Sequence, residues 1–254
     1  MKYGLRAALA IVAICLLAAI VSVRADAPKT ETVSFPNGTG TVSGFLATPE
    51  KAGHYPALVV VHEWWGLTDW VKEQAQKLAE QGYIALAPDL YRGQVTSDPE
   101  VAHELMRGLS QDRAVSDLKA AFAYLQTRKD VDRAHVGAIG WCMGGGFALQ
   151  LAIHEPHLAA CVVNYGALPT DPNDLQNIGA PILGNFGAED HGITPADVQE
   201  FEKVMRSMNR FVDLKEYDGA GHAFENSTNT NGYRPEAAAD AWARTVAFLN
   251  KALH

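Results

Sequence analysis

Short apolar runs alternate with stretches of helical periodicity along most of the chain. The apolar runs are typical of buried strands and cover 57–61, 83–87, 135–139, 158–163, 181–186 and 212–217. Helical patterns cover 69–81, 98–126 with a break near Gly108, 147–153, 195–208 and 235–253. Strands that alternate with helices predict an α/β fold, in which a mainly parallel sheet carries helices on both faces.

Two local signals add detail near the start of this pattern. Residues 30–48 read as an antiparallel hairpin, with Asn37 and Gly38 as the turn. Asp69 is a candidate cap for the helix that follows the first apolar run. No repeat or low-complexity linker divides residues 26–254, so the sequence predicts one domain, which is ordinary for a chain of 254 residues.

The first 25 residues differ from the rest of the chain. Lys2 and Arg6 precede an uncharged apolar run over 7–23, and small residues follow at the positions that a signal peptidase reads. This layout predicts a signal peptide cleaved before Asp26, and hence a secreted or periplasmic protein. The alternative is an uncleaved N-terminal membrane anchor, because the run approaches the ~18 residues needed to span a bilayer.

Charge and cysteine content narrow the functional classes. The net charge is −8, and without residues 1–25 the chain would keep 18 basic and 29 acidic residues, a net charge of −11. Such an excess of acid argues against a nucleic-acid partner or an anionic membrane surface. The predicted mature chain contains only Cys142 and Cys161, so no disulfide framework is expected. Cys161 lies in an apolar run and is predicted to be an inert core thiol.

The run from Gly140 to Gly146 is the most informative segment. It places Cys142 between a predicted strand and a predicted helix, in the pattern glycine–x–nucleophile–x–glycine of a nucleophile elbow. The turn is tight, so small residues must flank the nucleophile. A helix N-terminus stabilises a thiolate, and the pattern therefore predicts acyl-transfer chemistry through the Cys142 thiol.

Candidate partners for this thiol follow in the order expected of such enzymes, acid first and histidine last. Asp190 lies just beyond the apolar run 181–186, and His222 lies in a glycine-flanked loop beyond 212–217. Catalytic residues of open α/β sheets gather where strands end. Glu189 is an alternative to Asp190 as the acid.

Several segments together resemble the dienelactone hydrolase family of the α/β-hydrolase superfamily. They are 62–66 (HEWWG), 87–91 (APDLY), the Cys142 elbow, 219–224 (GAGHAF) and the C-terminal segment 233–248. The resemblance covers most of residues 30–250 and implies an α/β-hydrolase fold. It also implies roles for six residues: Cys142 as nucleophile, His222 as base, Asp190 as orienting acid, Glu63 as a carboxylate that contacts the resting thiol, and Met143 and Trp64 as backbone donors of the oxyanion hole.

The sequence departs from the best-known family members at the substrate side. Those enzymes hold the substrate carboxylate with two arginines. Arg92 lies one position away from the first of these sites, and Asn226 stands at the second. This departure puts recognition of an anionic dienelactone in doubt. Tyr91, Arg92, Asn226 and Trp65 are candidate substrate-binding residues, with a surface charge as the alternative for Arg92 and core packing for the tryptophan.

These features predict a hydrolase that cleaves a lactone or small ester through a Cys142 acyl-enzyme. The prediction includes no cofactor, no metal site, and a small molecule as the partner; oligomeric state is left open. A general carboxylesterase or thioesterase is the alternative within the same chemistry. A second alternative is a binding protein that keeps the fold without turnover.

Overall fold

The structure is a computed structural model that describes residues 27–38 and 40–254. The predicted signal segment, residues 1–25, lies outside the described residues, so its cleavage stays a prediction. Within the described part of the chain, no helix is long and apolar enough to cross a membrane.

Eight strands form one sheet in the order β1-β2-β4-β3-β5-β6-β7-β8. The strands are β1 (Lys29–Asn37), β2 (Gly40–Thr48), β3 (Tyr55–Val61), β4 (Ile84–Pro88), β5 (Val131–Trp141), β6 (Cys161–Asn164), β7 (Ile182–Gly187) and β8 (Val212–Tyr217). The β1–β2 and β2–β4 pairs are antiparallel, and the other neighbours are parallel. The predicted hairpin and the mainly parallel sheet are therefore confirmed.

Helices cover both faces of this sheet. They are α1 (Asp69–Glu80), α2 (Pro99–Gly108), α3 (Gln111–Thr127), α4 (Met143–His154), α5 (Pro172–Leu175), α6 (Pro195–Ser207) and α7 (Pro235–Leu253). Buried side chains of α3, α4 and α6 form one apolar cluster with the sheet. Those of α1 and α7 form a second cluster, so the predicted two-sided arrangement is confirmed.

The cap of α1 and the start of α4 differ from the sequence prediction. Thr68, in extended conformation, occupies the cap position of α1, and Asp69 is the first helical residue. α4 begins at Met143, four residues before the predicted start. Its first turn contains Gly144, Gly145 and Gly146, which have no side chains and so give no apolar periodicity. The helix therefore starts directly behind Cys142.

The parallel strands bring the chemistry to one edge of the sheet. Glu63 follows the end of β3, Cys142 follows β5, and Tyr165 follows β6. Asp190 and His222 lie in the loops after β7 and β8. Carboxyl ends of parallel strands share an edge, so five side chains from distant parts of the sequence reach one region.

Candidate active site

Cys142 occupies a sharp elbow between β5 and α4. Its backbone has φ 56° and ψ −122°, a conformation that costs a residue with a side chain roughly 1–3 kcal/mol. Close packing holds it there: a Cβ atom at Gly140 would overlap the Gly144 carbonyl, and one at Gly144 would overlap the Val61 carbonyl. The Cys142 amide donates to Asn164 O at 3.0 Å. The flanking glycines are thus required by contact, as the sequence pattern predicts.

Asp190 is hydrogen-bonded to His222. Nδ1 of His222 lies 2.7 Å from Oδ2 of Asp190. The other oxygen, Oδ1, accepts from the amides of Gly192 at 2.8 Å and Ile193 at 3.1 Å. Burial would raise the pKa of Asp190, but these bonds outweigh it and lower the pKa below its ordinary value. The carboxylate is therefore ionised and fixed, whereas Glu189 is exposed to solvent.

The electrostatics at His222 favour a charged imidazole. Burial lowers its pKa, but hydrogen bonds with Asp190 and Cys142 oppose this and raise the pKa to about 10. The Tyr165 ring packs edge-on against the imidazole, with the ring centroids 5.3 Å apart. An imidazolium beside Cys142 stabilises the thiolate, which is the nucleophilic form of the residue.

Glu63 is buried beside the cleft and is bound to Asn226. Glu63 is only 2% exposed to solvent, and its Oε2 accepts a hydrogen bond from Nδ2 of Asn226 at 2.6 Å. Burial raises the pKa of Glu63 to about 7, while the Asn226 bond and the charge of His222 partly oppose this. The family resemblance implies a contact between Glu63 and the resting thiol. The hydrogen bond that the structure describes goes to Asn226 instead.

Both the oxygen and the nitrogen of the Asn226 side-chain amide form hydrogen bonds within the protein. Its Oδ1 accepts from the amide of Thr228 at 2.9 Å and from Oγ1 of the same residue at 2.7 Å. Its Nδ2 is committed to Glu63. Asn226 lines the cleft, but in this arrangement it organises the loop after β8 and orients Glu63.

The two amides predicted to form the oxyanion hole belong to the elbow after β5 and to the loop after β3. Met143 is the first residue of α4, where amides have no acceptor within the helix. Trp64 follows Glu63 in the loop after β3, and this loop is closed by a bond from Gly66 N to Glu63 O at 3.2 Å. Within the described residues, neither the Met143 amide nor the Trp64 amide donates a hydrogen bond. Both residues line the cleft, so both amides are available to a developing oxyanion.

A cleft of about 1690 Å³ contains these groups. Cys142, Asp190, His222, Glu63 and Asn226 line it together with several aromatic side chains, among them Trp64, Trp65, Trp70 and Phe147. Trp65 therefore lies where a substrate-binding residue is expected. A second cleft, of about 1140 Å³ along α3, contains none of the candidate catalytic residues.

Tyr91 and Arg92 lie away from this cleft. Tyr91 is buried, and its hydroxyl donates to the Met143 sulfur at 3.2 Å, so it packs behind the elbow. Arg92 pairs at 2.8 Å with the fully buried carboxylate of Asp117, and it also donates to Asp89 O at 3.0 Å. These placements do not support the predicted substrate contacts. The Tyr91 side chain supports the elbow, and the Arg92 side chain supports the β4–α2 loop.

The sequence prediction missed Tyr165, which lines the cleft, and Glu225, which lies near Glu63. Tyr165 is fully buried, and its ring contacts the ring of His222. It directly follows β6, so the tendency of catalytic residues to gather at strand ends could have identified it from the sequence. Glu225 accepts from Nε1 of Trp141 at 3.2 Å. Burial raises the pKa of Glu225 to about 8, and the nearby Glu63 adds to this. No sequence pattern distinguishes Glu225 from an ordinary loop acid.

The remaining predicted features concern cysteine and metal. Cys161 is free and fully buried, and burial raises its pKa well above the ordinary value, which confirms the prediction of a core thiol. Over residues 27–38 and 40–254, no group of His, Cys, Asp and Glu side chains is arranged to hold a metal ion.

Comparison with known proteins places the chain among hydrolases of the α/β-hydrolase fold. The family model described as "Dienelactone hydrolase family" matches residues 42–253. A "Putative carboxymethylenebutenolidase" of Methylorubrum extorquens is 32% identical over 84% of this chain and 77% of its own. A "Probable 2-oxo-3-(5-oxofuran-2-ylidene)propanoate lactonase" of Bradyrhizobium is 32% identical over 81% of this chain and 87% of its own. The crystal structure of a dienelactone hydrolase-like promiscuous phosphotriesterase from metagenomic libraries superposes with a TM-score of 0.83 and 26% identity. The superposition covers 90% of this chain and 100% of that one.

Proposed function

Because the chain belongs to the dienelactone hydrolase family and is a hydrolase of lactones or esters, we propose that it works through a covalent thioester on Cys142. The observation that carries this proposal is the strained Cys142 elbow in the same cleft as the His222–Asp190 pair. Nucleophile, base and orienting acid form a triad of the Cys-His-Asp type.

In the acylation half of the reaction, the Cys142 thiolate attacks the substrate carbonyl and a carbon–sulfur bond forms. The oxygen of the tetrahedral intermediate accepts from the amides of Met143 and Trp64; loss of one such donor typically costs ~3–4 kcal/mol of transition-state stabilisation. Collapse re-forms the carbonyl and breaks the bond between the acyl carbon and the ester oxygen, and the His222 imidazolium protonates the leaving alkoxide. With a lactone, the leaving alcohol remains attached to the acyl group.

In the deacylation half, neutral His222 removes a proton from water, and the resulting hydroxide attacks the thioester. The second tetrahedral intermediate uses the same two amides. Its collapse breaks the carbon–sulfur bond, releases the carboxylic acid and returns the Cys142 thiolate beside the His222 imidazolium. Asp190 keeps its charge throughout and stabilises the imidazolium each time it forms.

The alternatives share the fold but differ in turnover. A general carboxylesterase or thioesterase would use the same residues on acyclic substrates. A binding protein would keep the cleft without catalysis, and the ordered His222–Asp190 bond at 2.7 Å favours catalysis over this alternative.

The test is a set of initial rates for residues 26–254 on a panel of lactones and 4-nitrophenyl esters, with Cys142→Ala as the matched control. Lactone hydrolysis that Cys142→Ala abolishes supports the proposal. Hydrolysis of acyclic esters alone indicates the general esterase. Failure of both, with the thiol reduced and labelled normally by iodoacetamide, indicates a binding role.

We also propose export to the periplasm or medium, with the membrane-anchored form as the alternative. The basis is the sequence of residues 1–25, where Lys2 and Arg6 precede the apolar run. N-terminal sequencing of the protein from a fractionated bacterial host tests it. A mature chain that begins at Asp26 in the soluble fraction supports export, and an intact N-terminus in the membrane fraction supports the anchor.

A further inference from the structure

The cleft lining contains acidic residues, and over the part of the chain that the structure describes its basic residues are all histidines. Its lining includes the side chains of Glu63, Asp69, Glu189 and Asp190, and the lining formed by residues 27–38 and 40–254 contains neither lysine nor arginine. Lys72 lies nearby but is bound at 3.0 Å to Asp69 and is not part of the lining. A substrate carboxylate placed here would meet acidic neighbours, and the basic residues that line the cleft over the described part of the chain are His103, His191 and His222.

Groups that could have bound a substrate carboxylate are engaged elsewhere. Arg92 is paired at 2.8 Å with buried Asp117. The Asn226 amide is used by Glu63 and by Thr228. The charge of His222, when protonated, is balanced by Asp190 at 2.7 Å. Arg92, Asn226 and His222 therefore already have partners within the protein.

The same cleft offers an extended apolar and aromatic wall. The rings of Trp64 and Trp65 lie 4.6 Å apart at 56°, and Trp64 meets the His103 ring edge-on at 4.8 Å. Phe147 and Leu168 add further apolar surface. The volume of about 1690 Å³ exceeds the ~300–1,000 Å³ of ordinary small-molecule sites, so a substrate larger than a simple lactone ring fits.

We propose that this enzyme selects uncharged esters or lactones that carry an aromatic or branched apolar group, and discriminates against substrates that carry a carboxylate. The inference rests on the proposed hydrolase function and specifies its substrate class. The apolar group packs against the Trp64–Trp65 wall, while the reacting carbonyl lies between Cys142 and the amides of Met143 and Trp64.

A matched pair of substrates tests the charge preference. Methyl 4-nitrophenyl adipate and mono-4-nitrophenyl adipate differ only in whether the distal carboxyl is masked, and release of nitrophenolate reports attack at the same ester. We expect kcat/KM for the masked diester to be at least about 10-fold higher, because the acid must be bound without a lysine or arginine partner. We also expect 4-nitrophenyl 4-phenylbutanoate to exceed 4-nitrophenyl butanoate by about 10-fold, since its phenyl group is buried.

A variant separates charge from shape. Gln150 lines the cleft from α4 and bonds Gln111 at 2.9 Å, outside the proposed machinery. Gln150→Arg should raise kcat/KM for the free acid relative to the masked diester by about 10-fold, the value of one charge-assisted hydrogen bond. Gln150→Met, of similar length and without charge, should leave the ratio unchanged.

The outcomes separate this inference from the function on which it rests. Equal or faster hydrolysis of the free acid by the wild type, with Cys142→Ala inactive, overturns the substrate class and leaves the hydrolase intact. If Gln150→Arg and Gln150→Met change the ratio of kcat/KM for the free acid to that for the masked diester equally, charge is not the cause of the preference. Hydrolysis of both esters that survives in Cys142→Ala overturns the proposed function itself.

Discussion

Asn226 donates a hydrogen bond from Nδ2 to Oε2 of Glu63 at 2.6 Å, although the two residues are 163 positions apart. Both residues are buried, and the bond joins the loop after β3 to the loop after β8. It therefore fixes a carboxyl group in the same cleft as Cys142. Because burial raises the pKa of Glu63 to about 7, this group changes charge close to neutral pH.

Glu63 is expected to regulate the reactivity of the Cys142 thiol. Above about pH 7 its ionised carboxylate opposes the thiolate by like-charge repulsion. Glu63→Gln should therefore increase the rate of iodoacetamide labelling above that pH. The measurement is the labelling rate from about pH 5 to pH 9, and Glu80→Gln on the exposed surface of α1 is the control. An unchanged profile in Glu63→Gln would rule out this role.

Asp190 is expected to be the orienting acid of the triad. Asp190→Asn should lower kcat by about 10²–10⁴-fold, because the amide no longer fixes the reactive tautomer of His222 or stabilises its charge. The pKa of His222 should fall below about 10, since the Asp190 bond is one of the contacts that raise it. Steady-state kinetics and NMR titration of the imidazole measure these effects. Glu189→Gln is the matched control, and the assignment fails if Glu189→Gln is the variant that loses activity.

Arg92 is expected to act in stability rather than in substrate binding. Arg92→Ala leaves the buried Asp117 carboxylate without its 2.8 Å partner, and should lower the free energy of unfolding by about 1–3 kcal/mol. Urea denaturation measures the loss, with Lys51→Ala on the exposed surface as the control. The KM for an ester substrate should not change. A raised KM with unchanged stability would instead return Arg92 to the substrate site.

Glu225 is expected to make stability depend on pH. Its pKa is raised from 4.5 in the unfolded chain to about 8, mainly by burial, so the folded state retains a proton that the unfolded state loses. The free energy of unfolding should therefore fall as pH rises from about 4.5 to about 8.

Glu225→Gln removes this ionisation while it keeps an oxygen to accept from Trp141. The variant should be more stable than the wild type by about 1–3 kcal/mol at pH 8.5, and equal to it near pH 4. Denaturation at the two pH values measures the difference. Parallel curves for the two proteins would contradict the raised pKa.

Local patterns predicted most of the fold. β8 and α7 begin and end at the predicted residues: a strand-like run defines β8, and Pro235 fits the first turn of α7 because proline suits a helix start. The elbow was also predictable, since its glycines lie next to Cys142 in sequence. The short helix α5 was missed because four residues are too few to show periodicity.

Long-range pairs at the site were not predictable in this way. No spacing rule connects Glu63 to Asn226, or Arg92 to Asp117, because each pair meets only when separate loops or helices come together in the fold. Burial is the other missing quantity. Glu225 and Glu63 look like ordinary acids in the sequence, and only the surrounding packing raises their pKa values.

The most direct test of the thioester mechanism is mass spectrometry of the protein quenched in acid during turnover of a slowly hydrolysed 4-nitrophenyl ester. The account predicts one added acyl group on the peptide that contains Cys142, and none in Cys142→Ala, which should also lose turnover. Acylation at another residue, or undiminished turnover in Cys142→Ala, would contradict it.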